Sequence, residues 1–510
     1  MAQFDDLFKA LPEAEIFLPG YFGYEDRTKR WSASCKKPAA VIVCPRNAYE
    51  VSVALRYATN HKILPLAVCG GGHGTSGDNC SEGGMVIDLR QIRSTVVDTE
   101  SQTITFGGGC TWEDVNGALW DHGLATVSGT VGDTGVGGLI LCGGYGFLTG
   151  SCGLALDCLI TCEVVLANGD IVKASKEENA DLFWALRGAG PNFGIVTHFT
   201  SQAFPQGESW AGFLGFDPEV LPAIIEFGNH FSEYMSRKHP GMNMITNSHL
   251  VDTDDGKSMM SVIVGNFIPP NKASGVLAVV FHNGSEEDGK KRFRPLLDLN
   301  PLGDTTSMLS YPDLNMMFNK YPRGPNDRHM FGGANFTHPL DKVAAKEICD
   351  QFWEATNAPE NENLRGSTMA FEFFPTNKIR EIPLPDTAFG NRGQFASICI
   401  SMNWTEAFED VDARLLSKRF TQTCADSIGW KGDQYRDASS TYANYFSELT
   451  WASSGDVQDH RKNSLTRQCI GITTKAEKIY GPNTAKLRRL KTKYDPDNVF
   501  MKVQDLSSKS

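Results

Sequence analysis

Short apolar runs, punctuated by glycine and by helix-capping residues, set the rhythm of the first 205 residues. Ile63–Val68, Met85–Asp88 and Gln102–Phe106 are of strand length and predict strands. Helical segments alternate with them. Asn47-Ala-Tyr-Glu50 resembles a capping box and predicts a helix through about His61, and Thr111-Trp-Glu-Asp114 does the same for a helix stopping at Gly123. Cys162–Leu166 and Asp170–Ala174 flank Asn168-Gly169, a pair that signals a hairpin. Asp181–Arg187 predicts a short helix closed by Gly188, and Gly194–Phe204 a returning strand.

The pattern changes after Pro205. Glycine falls, Phe and Met rise, and longer alternating strands such as Ala396–Asn403 emerge, which predicts an antiparallel sheet in an α+β region. The tail from Asn483 to Phe500 reads as a basic amphipathic helix stopped by Asp495-Pro496. The expected organisation is therefore residues 1–205, 206–470 and a C-terminal segment 471–510, in a chain too long for one core.

Composition narrows the function classes. A net charge of −12 argues against a nucleic-acid surface. It leaves room for a phosphate-bearing cofactor, because backbone N–H groups bind phosphate without Lys or Arg. No apolar run of about 18 residues predicts a membrane span, and the start of the chain lacks the pattern of a secretory signal. The 13 cysteines show no C-x-x-C spacing, so reduced thiols and a cytoplasmic location are expected. No metal site is expected.

Two glycine-rich blocks carry the chemistry. Cys69-Gly-Gly-Gly-His-Gly-Thr-Ser-Gly77 supplies a nest of amides ahead of one histidine, suited to an anionic ligand. The second block runs from Gly129 to Gly138 and continues in Gly143-Gly-Tyr-Gly146. A Rossmann fingerprint fails because Ile140 stands where the third glycine belongs, and neither a P-loop nor a G-x-S-x-G elbow occurs. Two such loops suit a long ligand held between two lobes.

The order of motifs resembles the FAD-linked oxidases of the vanillyl-alcohol-oxidase superfamily, in the berberine-bridge-enzyme-like branch. The resemblance is carried by Pro65–Gly77, Met85–Arg90, Gly107–Gly109, Gly129–Gly146, Asp181–Gly188 with Asn192-Phe-Gly194, Tyr442-Ala-Asn-Tyr445, Tyr480–Asn483 and Tyr494–Phe500. It implies a PCMH-type FAD-binding domain of two α/β lobes plus a substrate domain with an antiparallel sheet backed by helices. By the same resemblance His73 takes the place of the histidine bonded to the flavin. Val131 stands where doubly linked relatives have Cys, so a single covalent link is implied, and Thr134 takes the position of an oxygen gate. The cofactor contacts so implied are Gly70, Gly71, Gly72, Gly74, Thr130, Gly132, Gly137, Gly138, Gly143, Gly144, Tyr145, Gly194, Ile195, Val196 and Asn498. Tyr445 matches a catalytic base, with Tyr442 as a second candidate. Glu372, alternating with apolar neighbours in Met369–Phe374, either projects over the ring or is a solvated strand carboxylate, with Phe371 and Phe373 on the opposite face.

The function implied is an oxidase that removes hydride from a hydrophobic secondary metabolite, an alcohol, an amine or a substrate of oxidative cyclisation. O2 would be the acceptor and H2O2 the product. A flavoprotein cyclase without net redox and a flavin dehydrogenase with another acceptor remain open alternatives.

Overall fold

The computed structural model describes residues 4–236, 256–269, 272–320, 326–393, 395–429, 442–445, 475–502 and 506. The expected boundary near residue 470 lies outside them.

The N-terminal part builds two lobes. The first carries a four-stranded sheet in the order Glu15–Phe17, Val41–Cys44, Met85–Asp88, Ala67–Cys69; the last three strands are parallel and the first pairs antiparallel. Helix Ala48–Asn60 covers it, with Leu55, Ala58 and Val51 in the shared core. Asn47 caps this helix by accepting the Glu50 amide at 3.0 Å. The Glu50 carboxylate does not close the box; it takes the Arg46 amide at 2.8 Å and the Arg46 guanidinium at 2.7 Å instead. The strand expected over Ile63–Val68 forms only at Ala67–Cys69, because Pro65 has no N–H to offer a ladder.

The second lobe carries a five-stranded antiparallel sheet, ordered Thr95–Asp98, Thr103–Gly107, Ile195–Gln202, Leu159–Val165, Ile171–Ser175. The Asn168-Gly169 hairpin joins the last two, with Gly169 at φ +82°. Helix Trp112–Trp120 opens with the Asp114 carboxylate accepting the Thr111 amide at 2.8 Å. The helix beginning at Ala180 leaves helical geometry at Arg187 and Gly188, where Gly188 sits at φ +128° with its α-carbon against Phe389.

An eight-stranded antiparallel sheet dominates the rest. From Gly303–Asp304 its order is Ser209–Phe216, Ala273–His282, Ser258–Ile268, Thr368–Phe373, Phe395–Trp404 and Arg328–Thr337, with Ser307–Leu309 also on Ser209–Phe216. Helices Leu221–Ser236, Lys342–Asn357 and Asp410–Ser427 back one face. Met260, Val262, Phe371, Phe373, Ile398 and Ile400 point to that helical side and are fully buried. Alternation sends Ser261, Glu372, Ala370 and Cys399 to the other face, toward the two lobes. Helix Thr484–Tyr494 packs Leu487 and Leu490 into the core of the second lobe, so the tail rejoins the N-terminal part of the fold. Among the described residues no helix is long and apolar enough to cross a membrane.

Candidate active site

A cavity of about 440 Å³ runs between the two lobes and the inner face of the large sheet. One wall is the loop that leaves the carboxyl end of Ala67–Cys69, where ligands of open parallel sheets gather. Gly72 holds φ +76°, a left-handed backbone conformation that glycine adopts without strain. The second glycine loop meets the first at Gly71 and Gly135, and Gly135 also bridges to Thr111. Gly138 lines the cavity, and a Cβ added there would meet nothing within 4 Å. Such an open glycine edge, with the aliphatic side chains of Leu66, Val68, Leu89, Ile195 and Val196 on the cavity wall, fits an extended dinucleotide with a flat ring system.

His73 sits at the lip of the first loop. Its Nδ1 lies 3.2 Å from Thr134 Oγ1, and its Nε2 lies 3.5 Å from Asp133 Oδ1. The indole of Trp31 stacks on the imidazole with centroids 5.3 Å apart and planes 15° apart. The Trp31 amide donates to the Gly72 carbonyl at 3.0 Å, which fixes this N-terminal segment on the loop.

Toward the large sheet, Tyr445 and Tyr442 line the cavity with edge-to-face rings 5.0 Å apart. The Tyr445 hydroxyl donates to Glu372 Oε1 at 2.7 Å. Glu372 itself is off the lining; its Oε2 is buried without a hydrogen-bond partner. Burial raises the Glu372 carboxyl to about 7, although the Tyr445 hydrogen bond pulls the other way. Burial also raises the Tyr445 phenol well above its ordinary value, with the Glu372 charge adding to it. The Tyr442 oxygen accepts from the Gly144 amide at 3.1 Å and from Asn444 Nδ2 at 2.7 Å, while burial raises its phenol too.

Of the residues named from the sequence, Gly70, Gly71, Gly72, His73, Gly74, Thr130, Val131, Thr134, Gly137, Gly138, Tyr145, Gly194, Ile195, Val196, Tyr442 and Tyr445 are brought together on the cavity wall. Five are not. Gly132 turns away, its amide bonded to the Asn315 carbonyl at 2.8 Å and its α-carbon against Met316. Gly143 and Gly144, both at positive φ, lie behind Tyr442 and support it. Asn498 makes a left-handed turn whose amide bonds to the Asp495 carbonyl at 3.1 Å; the turn delivers Phe500 and Lys502 to the cavity in its place. Glu372 is off the cavity lining and only partly exposed: its Oε1 accepts the Tyr445 hydroxyl and its Oε2 is buried, which sets it beside the tyrosine and away from bulk solvent.

Sequence reasoning missed Trp31, Phe331, Cys399 and Lys502, which also line the cavity. Phe331 and Cys399 were accessible from alternation, because Gly333 pairs with Cys399 and Phe371 with Ile398 on the strands beside Glu372. Trp31 has no local signal. Lys502 is a partly buried ammonium bonded to the Cys80 carbonyl, and desolvation lowers its pKa.

Fold and cavity together define a two-lobed protein with a long cavity between its lobes and a large antiparallel sheet. Residues 39–175 match the family described as FAD binding domain, and residues 470–505 match that described as berberine and berberine like. The FAD-linked oxidoreductase pgmH of Aspergillus terreus is 30% identical over 483 residues, covering 94% of this chain and 90% of its own. Among solved structures, 6-hydroxy-D-nicotine oxidase from Arthrobacter nicotinovorans superposes with a TM-score of 0.76 at 23% identity, covering 96% of both chains. A glucooligosaccharide oxidase from Acremonium strictum gives a TM-score of 0.74 at 20% identity and 98% coverage of both. The chain belongs to the berberine-bridge-enzyme-like FAD-linked oxidoreductases.

Proposed function

We propose that the protein is an oxidase that takes hydride from a hydrophobic secondary metabolite, with FAD held through a single covalent link at His73. The observation that carries this reading is the Tyr445–Glu372 pair at the cavity wall, a proton acceptor backed by a buried carboxylate. FAD, when bound, supplies the two-electron acceptor, which O2 reoxidises with release of H2O2.

The chain's own part is proton transfer and positioning. A substrate O–H, N–H or acidic C–H facing Tyr445 passes its proton to the tyrosine oxygen as the tyrosine's own proton moves to Glu372. A free phenolate is thereby avoided, which suits a phenol that burial disfavours as an anion. Trp31, Phe331, Tyr442 and Tyr145 give this end of the cavity an aromatic wall, and the charged Asp and Lys residues that line the cavity, among those described, are Asp78 and Lys502. An apolar, uncharged substrate fits such a wall better than a polyhydroxylated one. For the covalent link, support comes from the position of His73 at the loop lip and from the solved glucooligosaccharide oxidase, whose description speaks of a novel flavinylation. Thr134, small and on the cavity wall, leaves the path open for O2. The described cysteines are all free, which supports a reducing, cytoplasmic setting.

The test is anaerobic addition of apolar alcohols and amines to the purified protein. Bleaching of the flavin band, followed by peroxide release on admitting air, supports the oxidase. Product formation with the band unchanged points to a redox-neutral cyclase, and bleaching without reoxidation in air to a dehydrogenase.

A further inference from the structure

We infer that Asp133, working with Trp31 and Thr134, is the positioning residue that readies the His73 imidazole for attachment to FAD. The inference rests on the reading that His73 carries the cofactor. The two ring nitrogens face different surroundings: Nδ1 is 3.2 Å from the hydroxyl of Thr134, which lines the cavity, and Nε2 is 3.5 Å from the carboxylate of Asp133, which does not. Nδ1 thus faces a hydroxyl on the cavity wall, while Nε2 faces a negative charge set off it.

The third contact is the indole of Trp31, stacked nearly parallel to the imidazole. Trp31 is itself backed by His329, with centroids 4.1 Å apart and planes 22° apart. Two backbone ties hold the segment: the Trp31 amide on the Gly72 carbonyl, and the Ala33 amide on the Asp327 carbonyl at 2.9 Å. The imidazole plane is therefore set from one face and at both nitrogens.

The chemistry explains why such a cradle matters. Attachment forms one bond, from an imidazole nitrogen to a methyl carbon of the flavin ring, and breaks one C–H bond. The methyl proton and the imidazole N–H proton leave, two electrons pass to the flavin, and O2 takes up both electrons and both protons as H2O2. While the new bond exists and the N–H proton is still in place, the imidazole is cationic. A carboxylate beside Nε2 and a π face over the ring both favour that charge. The Asp133 side chain as a whole is 40% exposed, while the Oδ1 that faces His73 is buried.

The test uses the full-length protein incubated with excess FAD in air, following total bound FAD and the covalently held fraction by intact mass. Asp133→Asn and Asp133→Ala are expected to bind FAD but to attach it roughly tenfold more slowly or worse, equivalent to about 1.4 kcal/mol on the barrier. Asp133→Glu, which restores the charge, is expected to recover most of the rate, and Trp31→Ala to slow attachment without abolishing FAD binding. An Asp133→Asn protein that attaches FAD at the wild-type rate overturns the inference while leaving the His73 reading intact. If Asp133→Ala does not fold, the near-isosteric Asn variant decides. A wild-type protein that releases all its flavin on acid precipitation removes the His73 reading, and this inference with it.

Discussion

Gly71 and Gly135 meet with their α-carbons facing each other: a Cβ on Gly71 would lie 2.3 Å from the Gly135 nitrogen, and one on Gly135 would lie 2.3 Å from the Gly71 nitrogen. Backbone opposes backbone, so no side-chain rotation relieves a substitution on either side. The two glycine-rich loops are joined at this point, and both Gly71 and Gly135 line the cavity.

Gly71→Ala is therefore expected to pry the loops apart. The stability loss should fall in the range of overpacked sites, about 1–3 kcal/mol. FAD content of the purified protein should fall more than its helix content does. Flavin absorbance per protein together with circular dichroism checks this, and an Ala variant with full flavin content would show that the loops have room to separate.

The carboxyl of Glu372, raised to about 7 by burial, fixes the direction of the pH dependence. In the proposed relay Glu372 has to be ionised to receive the proton passed through Tyr445, so kcat/KM should rise with pH through about 7 and fall below it as the carboxylate is protonated. Glu372→Gln removes the terminal acceptor while keeping shape. Its rate is expected to drop on the order of 10²-fold, the lower end of general-base contributions, and the titration near neutrality should vanish from the pH profile. Tyr445→Phe should lose a similar factor, and the double variant no more than either alone, as expected of two residues in the proposed relay.

Why one half of this site is legible in the chain and the other is not follows from how each is built. Gly70 to His73 and most of Thr130 to Gly138 reach the cavity wall as contiguous stretches of backbone, which glycine spacing announces. The Tyr445–Glu372 bond joins residues 73 apart. It depends on the register that sets Ser261 opposite Glu372, and on Gly333 leaving room for the Tyr445 Cβ. Alternation along Met369–Phe374 gives the face of Glu372 but not its depth behind the tyrosine. Trp31 reaches His73 only because its backbone is tied to Gly72, a contact between segments with no pattern of their own. The parallel and antiparallel sheets of the two lobes likewise follow from crossover connections that strand length does not reveal.

Thr134 combines two tasks that substitution can separate. Its hydroxyl bonds to His73 Nδ1, and its side chain lines the cavity. Thr134→Val keeps the volume and removes the hydrogen bond; Thr134→Leu adds bulk as well. Reoxidation of the reduced flavin by air, followed as the return of absorbance after mixing with oxygenated buffer, should slow in the Leu variant and stay near wild type in the Val variant. Equal slowing in both would assign the effect to the lost hydrogen bond and leave oxygen access out of it.

Arg392 shows how deeply the large sheet is anchored to the second lobe. Its guanidinium pairs with Asp157 at 2.6 Å and 3.2 Å, with side-chain exposures of 1% and 3%. The Ile379 carbonyl at 3.0 Å and the Thr387 hydroxyl at 3.1 Å take its remaining donors. One residue earlier, Asn391 Nδ2 donates to the Tyr145 hydroxyl at 3.1 Å, which carries the connection to the cavity wall. Asp157→Ala leaves an uncompensated buried guanidinium and is expected to cost about 3–5 kcal/mol. Asp157→Asn, which keeps hydrogen-bond capacity without the charge, should cost less. Denaturant unfolding of both variants measures the difference. If Asp157→Ala unfolds at the wild-type midpoint, the pair contributes no net stability.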